Sequence, residues 1–208
     1  MKQRGKFIVL EGVDGSGITT QTERLKHWLE AHTGDKVLMT KEPSEGPVGF
    51  LIRQALTKRV VGLSQETLAL LFAADRLDHI KHKILPALEE GNHVVCDRYL
   101  MSSLAYQGLE LDIEWIKEVN ACAIPVDLTI FIKVDPSTTM NRIKTKRFQV
   151  DLFEQEATLR TVLSNYELII SQGKQSGYNI VQIDGEQSLD QVTYTIQTEV
   201  KKYLGIEY

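Results

Sequence analysis

The 208-residue chain has few cysteines, no long apolar run and no excess of positive charge. Its two cysteines, Cys96 and Cys122, stand among apolar residues and are expected to be reduced core residues, which argues against a disulfide framework. No stretch approaches the roughly 20 apolar residues of a membrane span. The net charge of −4 gives no support to a polynucleotide-binding surface, although a local basic pocket could hold a small phosphate ligand. We therefore expect a soluble, cytoplasmic protein.

Repeats and low-complexity tracts are also absent from the sequence. A content of 42% apolar and 25% charged residues is ordinary for a globular protein. The start of the chain is basic, but Glu11 interrupts the apolar run Phe7–Leu10 too early for a signal peptide. At this length we expect one domain, spanning residues 1–208.

A glycine-rich turn follows this first apolar run. The run predicts a buried strand and the residues after the turn predict a helix, which is the context of a phosphate-binding P-loop. Glycines allow the backbone N–H groups to turn inward, and the start of the helix adds a positive dipole end. Thr19 would place its hydroxyl on Mg²⁺. The candidate ATP-binding residues are Gly12, Val13, Asp14, Gly15, Ser16, Gly17, Ile18, Thr19 and Thr20.

Short apolar runs alternate with helical patterns along the rest of the chain. This alternation predicts a five-stranded parallel sheet covered by helices on both faces, an α/β fold. Ligands on such sheets bind at the carboxyl ends of the strands. Asp14, Lys41, Asp97 and Arg98 each follow a predicted strand end. Their convergence predicts a site at that edge of the sheet.

Six segments, in order, resemble the thymidylate kinase family, whose members transfer a phosphoryl group from ATP to dTMP. They are residues 11–17, 40–43 with Arg53, 71–76 with His79, 97–99, 102–108 and 126–130. Together these segments extend over nearly the whole chain. A P-loop alone would indicate only a far wider superfamily, so the combination carries the resemblance.

The resemblance implies a P-loop kinase that uses Mg²⁺ with ATP, closes a short basic lid at about residues 142–151 and forms a homodimer. It implies that Asp97, with Thr19, orients the metal ion. The residues implied to bind dTMP are Asp14, Lys41, Arg53, Phe72, Arg76, Arg98, Ser103, Tyr106 and Gln107. The residues implied to act in catalysis are Asp14, Asp97, Arg98, Arg142, Lys146 and Arg147.

Within that set the family's roles differ. Asp14 would accept a hydrogen bond from the 3′-hydroxyl of dTMP, and Phe72 would stack on the thymine ring. Arg76 would contact the base. The monophosphate would be surrounded by Lys41, Arg53 and Arg98. Guanidinium groups suit this task because they donate parallel hydrogen bonds to phosphate oxygens.

Ile18 departs from the family pattern, because a P-loop carries lysine at this position. Three interpretations are open. Cations of the lid replace the lysine in a working kinase; or the protein binds nucleotides with little turnover; or a single-base change from a lysine codon was introduced by engineering or sequencing error. Two further departures are Leu152, where the family often carries arginine, and Gly15, where some relatives carry a basic residue.

Simpler interpretations stand beside these roles. Ile18 could extend the apolar stripe of Leu25, Trp28 and Leu29, and Phe72 could be an ordinary core residue. Arg76 could form a weak surface ion pair with a neighbouring aspartate. The basic residues between 142 and 147 could form a solvated face, and Asp97 could simply pair with Arg98. The histidines have no metal-ligand spacing.

Overall fold

The structure is a computed structural model and describes residues 3–146 and 155–206. All strands of its sheet run parallel, in the order β2–β3–β1–β4–β5. The strands are β1 (Phe7–Glu11), β2 (Val37–Lys41), β3 (His93–Asp97), β4 (Leu128–Lys133) and β5 (Ile180–Asp184). The expected α/β fold with a five-stranded parallel sheet is confirmed.

Helices connect the strands and cover the sheet. They are α1 (Ile18–Thr33), α2 (Pro47–Leu56), α3 (Gln65–His79), α4 (Leu85–Glu89), α5 (Leu100–Gln107), α6 (Ile113–Val119), α7 (Pro136–Lys146), α8 (Glu156–Gln175) and α9 (Leu189–Leu204). A π-helical turn, Ile80–Ile84, joins α3 to α4. Three helices begin at the polar residues whose types favour helix starts in the sequence: Ser64 accepts from the backbone of Thr67, Asp112 caps α6 and Ser188 forms a capping box with Gln191.

The central strand β1 is buried on both faces, because successive side chains point to opposite sides of a strand. Ile8 and Leu10 belong to a buried cluster with residues of α1 and α9. Phe7 and Val9 belong to a second cluster, which lies under α4 and the π-helical turn. The carboxyl end of β1, where the glycine-rich turn begins, is therefore anchored from both sides.

Two expectations need correction. Residues 68–74 in the middle of α3 are apolar all round, which predicts burial, but α3 exposes Ala74 and half of Leu70, because it packs through one side, with Leu68 against α2. Cys122 is exposed and not a core residue, whereas Cys96 is buried; both are free thiols, as expected. The sequence also predicts a helix over about residues 151–171. The structure describes this helix from Glu156 onward, and residues 147–154, including most of the expected lid, lie outside the described residues. Among the helices that the structure describes, none is long and apolar enough to cross a membrane.

Replacing Leu29 by alanine tests the core beneath α1. Leu29 is fully buried in the cluster of β1, α1 and α9, so Leu29→Ala should lower the free energy of unfolding by about 2–5 kcal/mol in urea denaturation. Leu168→Ala is the matched control, since this α8 residue is 52% exposed and should change stability by only about 0.5 kcal/mol. An equal decrease in the free energy of unfolding in the two variants would contradict the stabilising role of the buried Leu29 side chain.

Candidate active site

The turn between β1 and α1 adopts the form expected of a phosphate-binding loop. Gly17 caps α1 with a positive φ of 93°, which glycine adopts without strain. At Gly12 a Cβ atom would lie 2.7 Å from Ser16 Oγ and 2.8 Å from the Ile132 carbonyl oxygen, so no side chain fits. The N–H groups at the start of α1 face this loop, an arrangement that suits phosphate oxygens.

Gly15 explains why this loop has no basic residue at its tip. Its φ is +81°, and a Cβ atom there would lie 2.9 Å from the carbonyl oxygen of Thr139 and 3.1 Å from Ile143. Both neighbours belong to α7. The helix that carries Arg142 is therefore packed directly against the phosphate-binding loop.

Thr19 and Asp97 meet at the carboxyl edge of the sheet. The Thr19 hydroxyl donates to Asp97 Oδ2 at 2.6 Å, although 78 residues separate the two in sequence. Thr19 lies in the first turn of α1 and Asp97 ends β3. A hydroxyl and a carboxylate are oxygen ligands of the kind that Mg²⁺ prefers, so this pair fits the expected metal.

A second contact joins Arg98 to the phosphate-binding loop. Its Nη2 lies 2.8 Å from Asp14 Oδ1, and the Tyr106 hydroxyl donates to Asp14 Oδ2 at 2.9 Å. The same hydroxyl accepts from the Asp14 backbone N–H at 3.0 Å. The ion pair of Arg98 is therefore with Asp14, and not the simple pair with Asp97 considered from the sequence.

Arg76 is held by three buried partners. Its Nε lies 2.8 Å from Glu42 Oε2 and its Nη2 lies 2.8 Å from Ser103 Oγ, while Nη1 donates to the Asn120 side chain. Only 3% of the Arg76 side chain is exposed, so the interpretation as a surface ion pair is wrong. The Arg76 guanidinium also lies over the Tyr99 ring. Its position is fixed before any ligand arrives.

One cavity of about 560 Å³ brings these groups together, a volume typical of small-molecule sites. Half-buried Phe72 lines it and packs against the contact between α2 and α3, so its ring serves both core and cavity. Lys41 lines it with an exposed side chain near Glu45, and Arg53 donates to the backbone carbonyls of Pro43 and Ser44. The predicted site residues all line this cavity except Gly12, Lys146, whose side chain lies outside the described residues, and Arg147, which lies outside them altogether.

Two buried polar side-chain atoms in the described residues have no hydrogen-bond partner: Ser16 Oγ and Gln107 Oε1. Such atoms cost free energy unless a ligand or water satisfies them. Ser16 belongs to the phosphate-binding loop and Gln107 ends α5, and both line the cavity. The cavity therefore offers free hydrogen-bonding atoms at two separate points, to a ligand or to water.

Ile18 is 5% exposed and belongs to the same buried cluster as Leu25 and Leu29. The simple interpretation of Ile18 as an extension of the apolar stripe is confirmed.

Of the predicted lid cations, Arg142 is described: it is half-buried, lines the cavity and donates to the Gly185 carbonyl at 3.1 Å. The side chain of Lys146 and the whole of Arg147 lie outside the described residues.

Comparison with known proteins assigns this geometry to a family. The sequence profile of thymidylate kinase matches residues 10–196. The chain belongs to the thymidylate kinase family. It is 45% identical to a probable thymidylate kinase of Pyrococcus horikoshii over 168 residues, which cover 78% of this chain and 82% of that protein. It is 36% identical to a putative thymidylate kinase of Aeropyrum pernix, over 97% of this chain and 98% of that one. A thymidylate kinase of Trichormus variabilis is 34% identical, over 96% and 97%.

Sequence reasoning assigned no role to several groups that hold this thymidylate-kinase-family site together. Glu42, Asn120 and Tyr166 contact Arg76 or Arg98 from distant parts of the chain, and Ser102 contacts Arg98 from four residues away. Glu11 offered one usable signal, because a carboxylate at the end of a fully buried strand needs partners. Nothing local in the sequence distinguished Tyr166 from other apolar positions of α8.

Replacing Arg76 by methionine tests the buried pair with Glu42. Arg76→Met leaves a buried carboxylate without the partner at 2.8 Å, so the free energy of unfolding should fall by about 3–5 kcal/mol. Adding Glu42→Gln should recover part of the loss, because the unpaired charge is then gone. Urea denaturation of the double-mutant cycle measures this coupling, and strictly additive losses would contradict it.

Proposed function

We propose that the chain transfers the γ-phosphoryl group of ATP to dTMP, giving dTDP and ADP. Membership of the thymidylate kinase family supports the reaction. One observation supports the proposed site: the phosphate-binding loop and the guanidinium groups of Arg76 and Arg98 line the same cavity. Transfer between two phosphates depends mainly on positioning and on neutralising the charge of the moving group. Nothing in the family comparison supports the alternative of a protein with little turnover.

On the donor side, we propose that the backbone of residues 12–17 and the unpaired Ser16 hydroxyl hold the ATP phosphates. Thr19 and Asp97 would hold Mg²⁺, directly or through its waters. The metal ion would neutralise phosphate charge when bound. The loop supplies N–H donors at fixed positions, so little reorganisation is needed during transfer.

On the acceptor side, we propose that Arg98, Arg53 and Lys41 bind the dTMP monophosphate. Phe72 and Arg76 would contact the thymine base. The sugar and base would also contact Asp14, Ser103, Tyr106 and Gln107. Arg76 and Arg98 are already held by several hydrogen bonds, so binding dTMP costs little side-chain entropy at these positions. The free Gln107 oxygen would accept a hydrogen bond from the ligand.

The missing P-loop lysine requires another cation for the transferred phosphoryl group. We propose that Arg142 supplies it, since α7 packs against Gly15 and Arg142 lines the same cavity. Lys146 and Arg147, which follow in the proposed lid, would add to this charge. Ile18 instead stabilises the core. We therefore expect turnover without a charge at position 18.

Steady-state ADP formation from Mg²⁺–ATP and dTMP tests the function and the source of the cation. The unmodified protein should turn over, and Arg142→Gln should lower kcat by about 10²–10³, as expected for loss of one preorganised donor. If Arg142 replaces the lysine, Ile18→Lys should recover part of that loss in the Arg142→Gln background. Turnover by Ile18→Lys alone, with none in the unmodified chain, would show that the chain is not a working kinase.

We also propose that the protein is a homodimer through the outer face of α2 and α3. Four apolar side chains are exposed there, Phe50, Leu51, Leu70 and Leu77, with exposed fractions between 37% and 59%. The two helices pack against each other through Ile52, Ala55 and Leu68, so their outer faces adjoin. Apolar patches of this kind mark association surfaces.

A cytoplasmic location is proposed as well, because both cysteines are free thiols.

The dimer proposal is tested by charge on this face. The combined change Leu70→Glu and Leu77→Glu should convert the dimer to a monomer, because burying two carboxylates in the interface is costly. Sedimentation velocity measures the mass of each species. Leu168→Glu on α8, at 52% exposure, is the control and should remain dimeric. A monomeric unmodified protein, or a dimer that survives the double change, would contradict the proposal.

A further inference from the structure

Glu11 is a fully buried carboxylate that the proposed reaction does not use. It ends β1 immediately before the phosphate-binding loop, with an exposed fraction of 0%. Its Oε1 accepts hydrogen bonds from the backbone N–H groups of Tyr99, at 2.9 Å, and Ser102, at 3.3 Å. Its Oε2 accepts from the Ser102 hydroxyl at 2.6 Å and the Tyr166 hydroxyl at 3.0 Å. Four donors converge on one side chain.

These donors connect Glu11 to Arg98. Nη1 of Arg98 donates to Ser102 Oγ at 3.0 Å and lies 3.4 Å from the Tyr166 hydroxyl. The Arg98 backbone N–H donates to the carbonyl of Leu10, the residue before Glu11, at 2.9 Å. The end of β1 therefore holds Arg98 twice, by its backbone and, through Ser102, by its side chain.

The direction of the hydrogen bonds depends on the charge of Glu11. A serine hydroxyl has one proton, and a guanidinium can only donate. When Glu11 is ionised, the Ser102 proton points to Glu11 and the oxygen lone pairs are free to accept from Arg98. When Glu11 is protonated, its carboxyl group can itself donate to one of the two lone pairs of the Ser102 oxygen, and the negative charge that attracts the Arg98 guanidinium is lost. The ionised form therefore holds Arg98 more strongly.

We propose that Glu11 is a positioning residue, which in its ionised form holds Arg98 toward the acceptor phosphate through Ser102 and Tyr166. This inference rests on the proposed function, in which Arg98 binds the monophosphate of dTMP. Glu11 itself touches no substrate. Its contribution is to keep the guanidinium in place while the cavity is empty and while the acceptor enters.

The surroundings of Glu11 make its charge sensitive to pH. Burial raises its pKa from 4.5 to about 7, although the hydrogen bond from Ser102, the charge of Arg98 and the bonds from Tyr166 and Tyr99 oppose the rise. Asp97 pairs with Leu10 across the sheet and so lies on the opposite face from Glu11. The titratable or charged groups that face Glu11 or its partner Arg98 are Asp14, Cys96, Asp97, Arg98, Tyr99, Tyr106 and Tyr166, of which Asp97 acts on Arg98.

This pKa shift gives stability and activity opposite pH dependences. A carboxyl whose pKa is raised by folding contributes stability below pH 4.5 that is lost as the pH rises to about 7. Binding of dTMP should instead improve over the upper part of this range, because ionised Glu11 holds Arg98. A carboxylate with a purely structural role would not produce this opposition.

The test compares the unmodified protein with Glu11→Gln and Tyr166→Phe between pH 5.5 and 9, at saturating Mg²⁺–ATP. At pH 8, Glu11→Gln should lower kcat/KM for dTMP about 10- to 100-fold, the loss expected for one charge-assisted hydrogen bond. The KM for ATP should change less than about twofold. The rise of activity near pH 7 should disappear in this variant, leaving the ionisation of the substrate phosphate near pH 6.

Tyr166→Phe keeps the buried ring but removes a donor that lowers the pKa of Glu11, so the rise in activity should shift to higher pH. Tyr178→Phe is the matched control, because Tyr178 is 65% exposed and far from Glu11 in the fold; its profile should match the unmodified protein. Calorimetric titration with dTMP, and thermal unfolding of each variant, accompany the kinetics.

The outcomes are distinguishable. Equal weakening of dTMP and ATP by Glu11→Gln, or an unchanged pH profile in a folded Glu11→Gln or Tyr166→Phe variant, would overturn the positioning role and leave the proposed function intact. An unmodified protein that neither binds nor phosphorylates dTMP would overturn the proposed function, and this inference with it.

Discussion

The ion pair between Arg98 and Asp14 is the contact on which the site depends, since it joins the phosphate-binding loop to the end of β3. Parallel strands bring their carboxyl ends to one edge, but that topology only brings these residues near one another. Side-chain hydrogen bonds then fix the two residues in contact: Tyr106 binds Asp14, and Ser102 binds Arg98. One hydrogen-bond network therefore joins the side of the cavity formed by the β1–α1 loop to the side formed by the residues after β3.

Below this network the sheet carries polar groups in a mostly apolar interior. Glu11 and Glu42 are both buried; the donors to Glu11 come from α5 with its N-cap and from α8, and Glu42 is contacted by Arg76 and His79 of α3. A buried carboxylate is expensive unless its partners are complete. The cost is acceptable here because the same partners fix Arg76 and Arg98, the guanidiniums that face the cavity. Core stability and site geometry are therefore two results of one set of contacts.

Local sequence signals were sufficient for the strands, the helix caps and the phosphate-binding loop, because each depends on neighbouring residues. The burial of Ile18 also follows from its spacing to Leu25 and Leu29. The partner of Arg76 could not be predicted, since Glu42 lies 34 residues away and two nearer aspartates were equally plausible. Tyr166, 155 residues from Glu11, reaches it only through the packing of α8 on the sheet. Nothing in the residues around Tyr166 indicates that its hydroxyl binds a buried carboxylate.

The backbone of Arg98 has a φ of +70°, a conformation that non-glycine residues adopt at a cost of about 1–2 kcal/mol. Asparagine or glycine would relax this strain, so drift toward greater stability runs against the guanidinium at this position. If Arg98 binds phosphate, as proposed, selection for that contact has to exceed this gain for the arginine to persist. A relative that has stopped phosphorylating nucleotides is then expected to lose the arginine at this position early.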